Sequence, residues 1–234
     1  MTPTLARRCA AEALGTGFLV CAVVGSGIAA ARLSPDDVGL QLLENSIATG
    51  AVLVALILAL QPVSAAFNPV ITLIERGWRL IDNRQAAWLV GSQVVGAMLG
   101  AVVANLMFGL DAVTWSQTHR ASGGHVLGEV VATLGLVLVV FGGLRTGRPE
   151  TVAWSVGAYI TAAYWFTSST SFANPAVTLA RTLSDTFAGI APASAPAFLV
   201  AQVVGGALGA VLVGWLFHRS TDAAVPQAQE ATDA

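Results

Sequence analysis

The sequence predicts an all-α membrane protein in which six transmembrane helices and two re-entrant half-helices form an inverted repeat. Three observations carry this. Hydrophobic residues fill 55% of the 234 positions and charged residues only 10%, against about 25% charged in a soluble domain, and the mean hydropathy is +0.73. Apolar runs of roughly 20 residues, the length that crosses about 30 Å of hydrocarbon as a helix, recur along the chain. Short motifs in the first half return in the second at a nearly constant offset. The same composition excludes other classes. A net charge of −2 leaves no basic field for nucleic acid. Cys9 and Cys21 with the scattered His119, His125 and His218 supply neither a disulfide framework nor a metal-ligand set. No catalytic constellation and no cofactor motif is visible, so an enzyme is not expected.

Taken in order, the first span is about Ala10 to Ala31. Arg7 and Arg8 precede it and Ala29-Ala30-Ala31 closes it, a pattern that a secretory signal also shows. The second span is about Gln41 to Gln61, and Asn68-Pro69-Val70-Ile71-Thr72-Leu73 follows it. Proline at a first helical position forfeits no hydrogen bond, and asparagine before it is a favoured N-cap, so a helix begins at Pro69. From there to Trp78 is ten residues, about 15 Å at 1.5 Å per residue. That is half the hydrocarbon, so the segment dips in and returns. The third span is about Ala86 to Leu110, the fourth Gly128 to Leu144 and the fifth Thr151 to Ser169. A second half-helix starts in Asn174-Pro175-Ala176-Val177-Thr178-Leu179, and the last span is about Ala195 to Phe217. The tail, 219–234, is polar and is expected to be disordered and cytoplasmic.

The two halves read alike. Gln93-Val94-Val95-Gly96 and Gln202-Val203-Val204-Gly205 lie 109 residues apart, and the Asn-Pro segments 106 apart. A weaker pairing sets Glu12, Thr16 and Leu19 against Glu129, Thr133 and Leu136. One channel-like domain over 1–218 is expected, with repeats at about 8–110 and 126–218. Three crossings per half force the second copy upside down, the arrangement many membrane transport proteins use. It also requires the first span to be retained, because that span is the partner of the fourth. Inversion brings the two half-helix N-termini together near the midplane, each with roughly half a positive charge. Non-helical backbone at that depth is tolerated only when buried or lining a water-filled cavity, so a pore is expected where they meet. All eleven basic residues are arginine, and with the N-terminus inside, eight fall in inner segments and three in outer ones. Both termini are therefore expected in the cytoplasm, with the chain in the inner membrane.

Six spans, two half-helices and the paired Asn68-Pro69-Val70 and Asn174-Pro175-Ala176 resemble the aquaporin, or major intrinsic protein, family over about residues 8–218. The resemblance implies a homotetramer in the lipid bilayer with one pore per subunit. It implies that Asn68 and Asn174 donate side-chain hydrogen bonds to a passing oxygen. Glu12 and Glu129 fall where the family keeps one buried carboxylate per half to accept hydrogen bonds from the re-entrant loops.

The departures from the family pattern bear on the permeant. Three residues after the second Asn most members have Arg, and here stands Val177. By the family's spacing the other positions of the narrowest ring fall near Ala48, Ala162 and Ser171, with Thr49 a rival to Ala48 and Ala163 adjacent to the second. All are small. Such a ring predicts a wide filter without a fixed cation, passing compact neutral solutes with or without water. The bacterial arsenic-operon branch is the most similar subgroup, which implies neutral arsenite and glycerol-like polyols. Two further readings stand beside it, a water-selective aquaporin and an ion-coupled secondary transporter. Arg181 invites reading either as a displaced filter arginine or as the i,i+4 partner of Asp185, and the spacing favours the latter. Gly91, Gly96, Gly100, Gly205 and Gly209 read as close-packing faces. The six tryptophans lie mostly near span ends, where indoles anchor at the interface.

Overall fold

A computed structural model describes residues 3–217. The expected tail at 219–234, and His218, lie outside the described residues. Thr4 caps the first helix by accepting from the Arg7 N–H, and α1 runs Leu5–Leu33. Asp37 does the same for α2, Val38–Leu60. The half-helix α3 is Pro69–Gly77, with Asn68 as its N-cap. A reciprocal capping box of Asp82 and Gln85 starts α4, Asn83–Met107, satisfying two otherwise orphaned donors. Ser122 caps α5, Gly123–Arg145, and α6 follows as Pro149–Phe166. The second half-helix, α7, is Pro175–Arg181 with Asn174 as N-cap, and α8 is Ala195–Leu216.

Five of these helices, α1, α2, α4, α5 and α8, are long and apolar enough to cross a membrane by length and composition. The remaining long helix, α6, has 18 residues, roughly 27 Å. It is tied to its neighbours by polar groups: Tyr159, Thr161 and Tyr164 all make hydrogen bonds to neighbouring helices.

The duplication governs packing. The α1 and α4 helices cross closely, as do their counterparts α5 and α8, and α2 packs on α6 between the halves. The first crossing depends on glycine: a Cβ added at Gly96 would collide with the Ala13 carbonyl, and one at Gly100 with that of Gly17. Gly205 and Gly209 face Val130 and Val137 in the same way. Gly91 does not belong with them, because nothing lies within 4 Å of where its Cβ would be. Lipid cannot drive helices together by the hydrophobic effect, so small residues that let backbones approach supply the attraction. The outer surface is apolar, with Phe18, Trp88, Val95, Trp154, Val211 and Trp215 all exposed. Trp78 is the exception among the indoles, packing edge-on against Phe141 with ring centroids 4.7 Å apart.

Candidate functional site

Each half-helix begins in a short irregular segment that must bury polar backbone, and a carboxylate from the first helix of the same half satisfies it. Glu12, fully buried on α1, accepts four hydrogen bonds. Ser64 Oγ and the Ala66 N–H donate to Oε1 at 2.5 and 2.9 Å. The Phe67 N–H and Gln93 Nε2 each donate to Oε2 at 2.7 Å. Glu129, equally buried on α5, repeats the design. It accepts from the Phe172 N–H at 2.8 Å, the Ala173 N–H at 2.9 Å and Gln202 Nε2 at 2.5 Å.

Gln93 and Gln202 complete a second matched layer that residue spacing alone did not single out. Each donates also to a half-helix threonine, Gln93 to Thr72 at 2.9 Å and Gln202 to Thr178 at 2.8 Å. Both lie inside the repeated Gln-Val-Val-Gly motifs, and a fully buried polar side chain at matched positions of two apolar spans is the signal that marks them. The carboxylates hold strained backbone in place. Phe67 and Ala173, the residues before the two capping asparagines, both adopt a left-handed φ of 48°, a conformation that costs about 1–3 kcal/mol for a residue other than glycine.

Asn68 and Asn174 then meet. Each uses its Oδ1 to cap its own helix, toward the Val70 N–H at 2.9 Å and the Ala176 N–H at 2.9 Å. Asn68 Nδ2 donates to the Ala173 carbonyl and Asn174 Nδ2 to the Phe67 carbonyl, both at 2.7 Å. The loops are thereby stitched to one another across the repeat. An amide has two N–H donors, so each asparagine keeps a second one. Both residues line a cavity of about 90 Å³. Pro69, Val70 and Ala176 are the packing side of the same motifs: Val70 and Ala176 are buried and neither lines the cavity.

The cavity lining is mixed. Leu19, Val23, Leu53, Leu136, Val152 and Val156 contribute apolar groups, and Thr49, Asn68, Tyr164, Ser171, Asn174 and Arg181 contribute polar ones. Val177 and Ser171 line the cavity as expected by spacing, and the Ser171 hydroxyl has no protein partner. Three expectations are corrected. On α2 the lining positions are Thr49, Leu53 and Ile57, so Thr49 and not Ala48 faces inward. On α6 they are Val152, Val156, Ile160 and Tyr164, and Ala162 is exposed on the outer face. Ala163 is buried but does not reach the cavity. The lining is therefore not uniformly small, because it includes Tyr164, whose hydroxyl meets Thr49 Oγ1 of the neighbouring helix at 3.1 Å.

The third correction concerns Arg181. It is not paired with Asp185, whose Oδ1 accepts from the Gln117 N–H at 2.9 Å. Arg181 is instead 2% exposed and lines the cavity. Its Nε donates to the Ala188 carbonyl, and its Cζ lies 3.4 Å from the centroid of the Phe172 ring. Arg120, from the connection between α4 and α5, lies on the same ring with its Cζ 5.5 Å from the centroid. Burial pushes the Arg120 guanidinium below its usual range.

Two inverted half-helices whose caps interlock at a buried cavity, inside six long helices, define a multi-pass membrane channel. The comparisons agree. A family model described as Major intrinsic protein matches residues 1–151 and 143–233, and the chain belongs to that family, the aquaporins and aquaglyceroporins. It is 50% identical over 215 residues to aquaglyceroporin AqpS of Rhizobium meliloti strain 1021, covering 92% of this chain and 91% of that one. It is 27% identical over 246 residues to the probable aquaporin AqpM of Archaeoglobus fulgidus, covering 93% and 98%. Among solved structures, the aquaglyceroporin from Plasmodium falciparum superposes with a TM-score of 0.69 at 16% identity, covering 92% of this chain and 96% of that one. At that identity the likeness is one of fold. Membership makes the chain a channel and not an enzyme.

Proposed function

We propose that the chain is a passive channel for compact neutral hydroxylated solutes, glycerol-like polyols and neutral trihydroxy metalloid acids such as arsenite, with or without water. The observation that carries this is the mixed lining of the cavity. Its apolar side chains suit a carbon skeleton, and the Asn68 and Asn174 amides and the unpartnered Ser171 hydroxyl are available to solute hydroxyls. The volume of about 90 Å³ admits a short file of waters or one small triol, since about 10–15 Å³ of such space holds one water. Thr49, Tyr164, Ser171 and Val177 form the ring that sets the size limit. The name aquaglyceroporin, carried by the 50% identical AqpS, supports the same reading.

One observation favours a second reading, a water-selective pore: Tyr164 places an aromatic ring at a position where spacing alone put only small residues. Ion-coupled transport has less support, because both oxygens of Glu12 and of Glu129 already accept hydrogen bonds from loop N–H groups and from Gln93 or Gln202. We further propose a homotetramer in the inner membrane with both termini cytoplasmic, consistent with the apolar outer face and the arginine distribution.

Uptake by proteoliposomes tests the permeant. Glycerol and arsenite are expected to enter well above the empty-liposome rate. Fast water flux with neither solute would leave the water-selective reading and overturn the proposal.

A further inference from the structure

Arg181 combines properties that structural packing does not need. It is 2% exposed, it lines the pore cavity alongside Asn68 and Asn174, and among the described residues it makes no ion pair. Its Nε is anchored on the Ala188 carbonyl and its plane lies on Phe172, which fixes its orientation without neutralising it. Neither Glu129 nor Asp185 pairs with it: Glu129 accepts from the Phe172 and Ala173 N–H groups and Gln202, and Asp185 from the Gln117 N–H. Neither Nη group has a protein acceptor among the described residues, so both are free to donate into the cavity. A buried charge is normally paired, and one held unpaired beside a conduit acts on what passes.

We infer that Arg181 is the specificity-determining cation of this pore, fixed one helical turn beyond Val177, where it repels cations and donates hydrogen bonds to the oxygens of neutral solutes. The inference rests on the channel reading above. Its position is reasonable physically, because side chains on a helix point back toward the N-terminus. The Arg181 stem therefore covers the turn carrying Val177. A fixed cation in a narrow low-dielectric passage raises the barrier to every permeating cation, while an uncharged triol sees only donors. Arg120, on the same Phe172 ring, adds its charge to the same mouth.

The test compares wild type, Arg181→Gln and Arg181→Lys in proteoliposomes, measuring glycerol uptake and potassium leak on the same preparations. Wild type is expected to pass glycerol and hold potassium. Arg181→Gln, which loses both the charge and the guanidinium donors, should slow glycerol and raise potassium leak roughly tenfold or more, and Arg181→Lys should hold potassium. A folded Arg181→Gln as tight to potassium as wild type would overturn the inference and leave Arg181 a packing anchor. Should Arg181→Gln not fold, Arg181→Lys decides: tightness with slowed glycerol supports the inference, and a potassium leak from a folded Arg181→Lys overturns it. If wild type itself passes no glycerol, the channel reading for polyols fails instead, and the potassium arm still reports on Arg181.

Discussion

Replacing Glu129 by glutamine removes one acceptor oxygen and one charge from a site that needs both. Three donors converge there, the Phe172 and Ala173 N–H groups on separate oxygens and Gln202 Nε2 on the second. Glutamine offers a single oxygen, so either the Phe172 N–H or the pair on the other side faces an amide NH₂ and is orphaned. A buried donor left without a partner costs about 1–3 kcal/mol, and loss of charge assistance to the remaining bonds adds to it. The total should be about 3–5 kcal/mol, the range for breaking a buried charged network by removing one member. Ala173, at a left-handed φ, loses the bond that holds it there. At about 2–4 °C per kcal/mol for a chain of this size, Glu129→Gln should lower the apparent Tm in detergent by roughly 6–20 °C. Glycerol conduction per folded channel should fall too, since Asn174 is positioned through Ala173. A shift within about 2 °C of wild type would refute the view that the carboxylate holds the loop.

Other substitutions separate the lining from its surroundings. Tyr164→Ala should speed uptake of urea and glycerol severalfold by opening the ring, while Ala162→Val, on the outer face of α6, should leave both rates unchanged in the same stopped-flow assay. Val177→Arg adds bulk and charge to the cavity lining and should reduce glycerol uptake roughly tenfold or more, read against protein incorporated per vesicle. Gly96→Val should prevent the α1 and α4 crossing and abolish folded protein on size-exclusion chromatography, whereas Gly91→Val should be recovered normally.

The features legible in the sequence were those whose signal is local or repeated. Apolar length marks a span, Asn-Pro marks a capped helix start, and the duplication turned Glu12 and Glu129 from anomalies into a matched pair. The residues on the ring were harder because they depend on rotational phase. Each residue turns a helix by about 100°, so of the two rival positions on α2 Thr49 meets the lumen and Ala48 misses it by one step. Taking Ala162 for Tyr164 errs by two and places an exposed residue in the pore. The error mattered chemically, since it replaced an aromatic by a methyl group. For Arg181 the i,i+4 spacing to Asp185 counts positions along the chain and leaves out the reach of the side chain. A long side chain directed toward the N-terminus covers the preceding turn, and burial favoured the cavity and Phe172 over a surface pair with Asp185. Gln93 and Gln202 were visible as repeat markers, but their role required the crossing that brings them to the carboxylates.

The most direct test of a passive channel for neutral solutes is the concentration dependence of glycerol influx into proteoliposomes with proton and sodium gradients collapsed by ionophores. A channel predicts influx that rises in proportion to the glycerol gradient and is unchanged by the ionophores. Influx that saturates at low concentration, or stops when the gradients are removed, would contradict it.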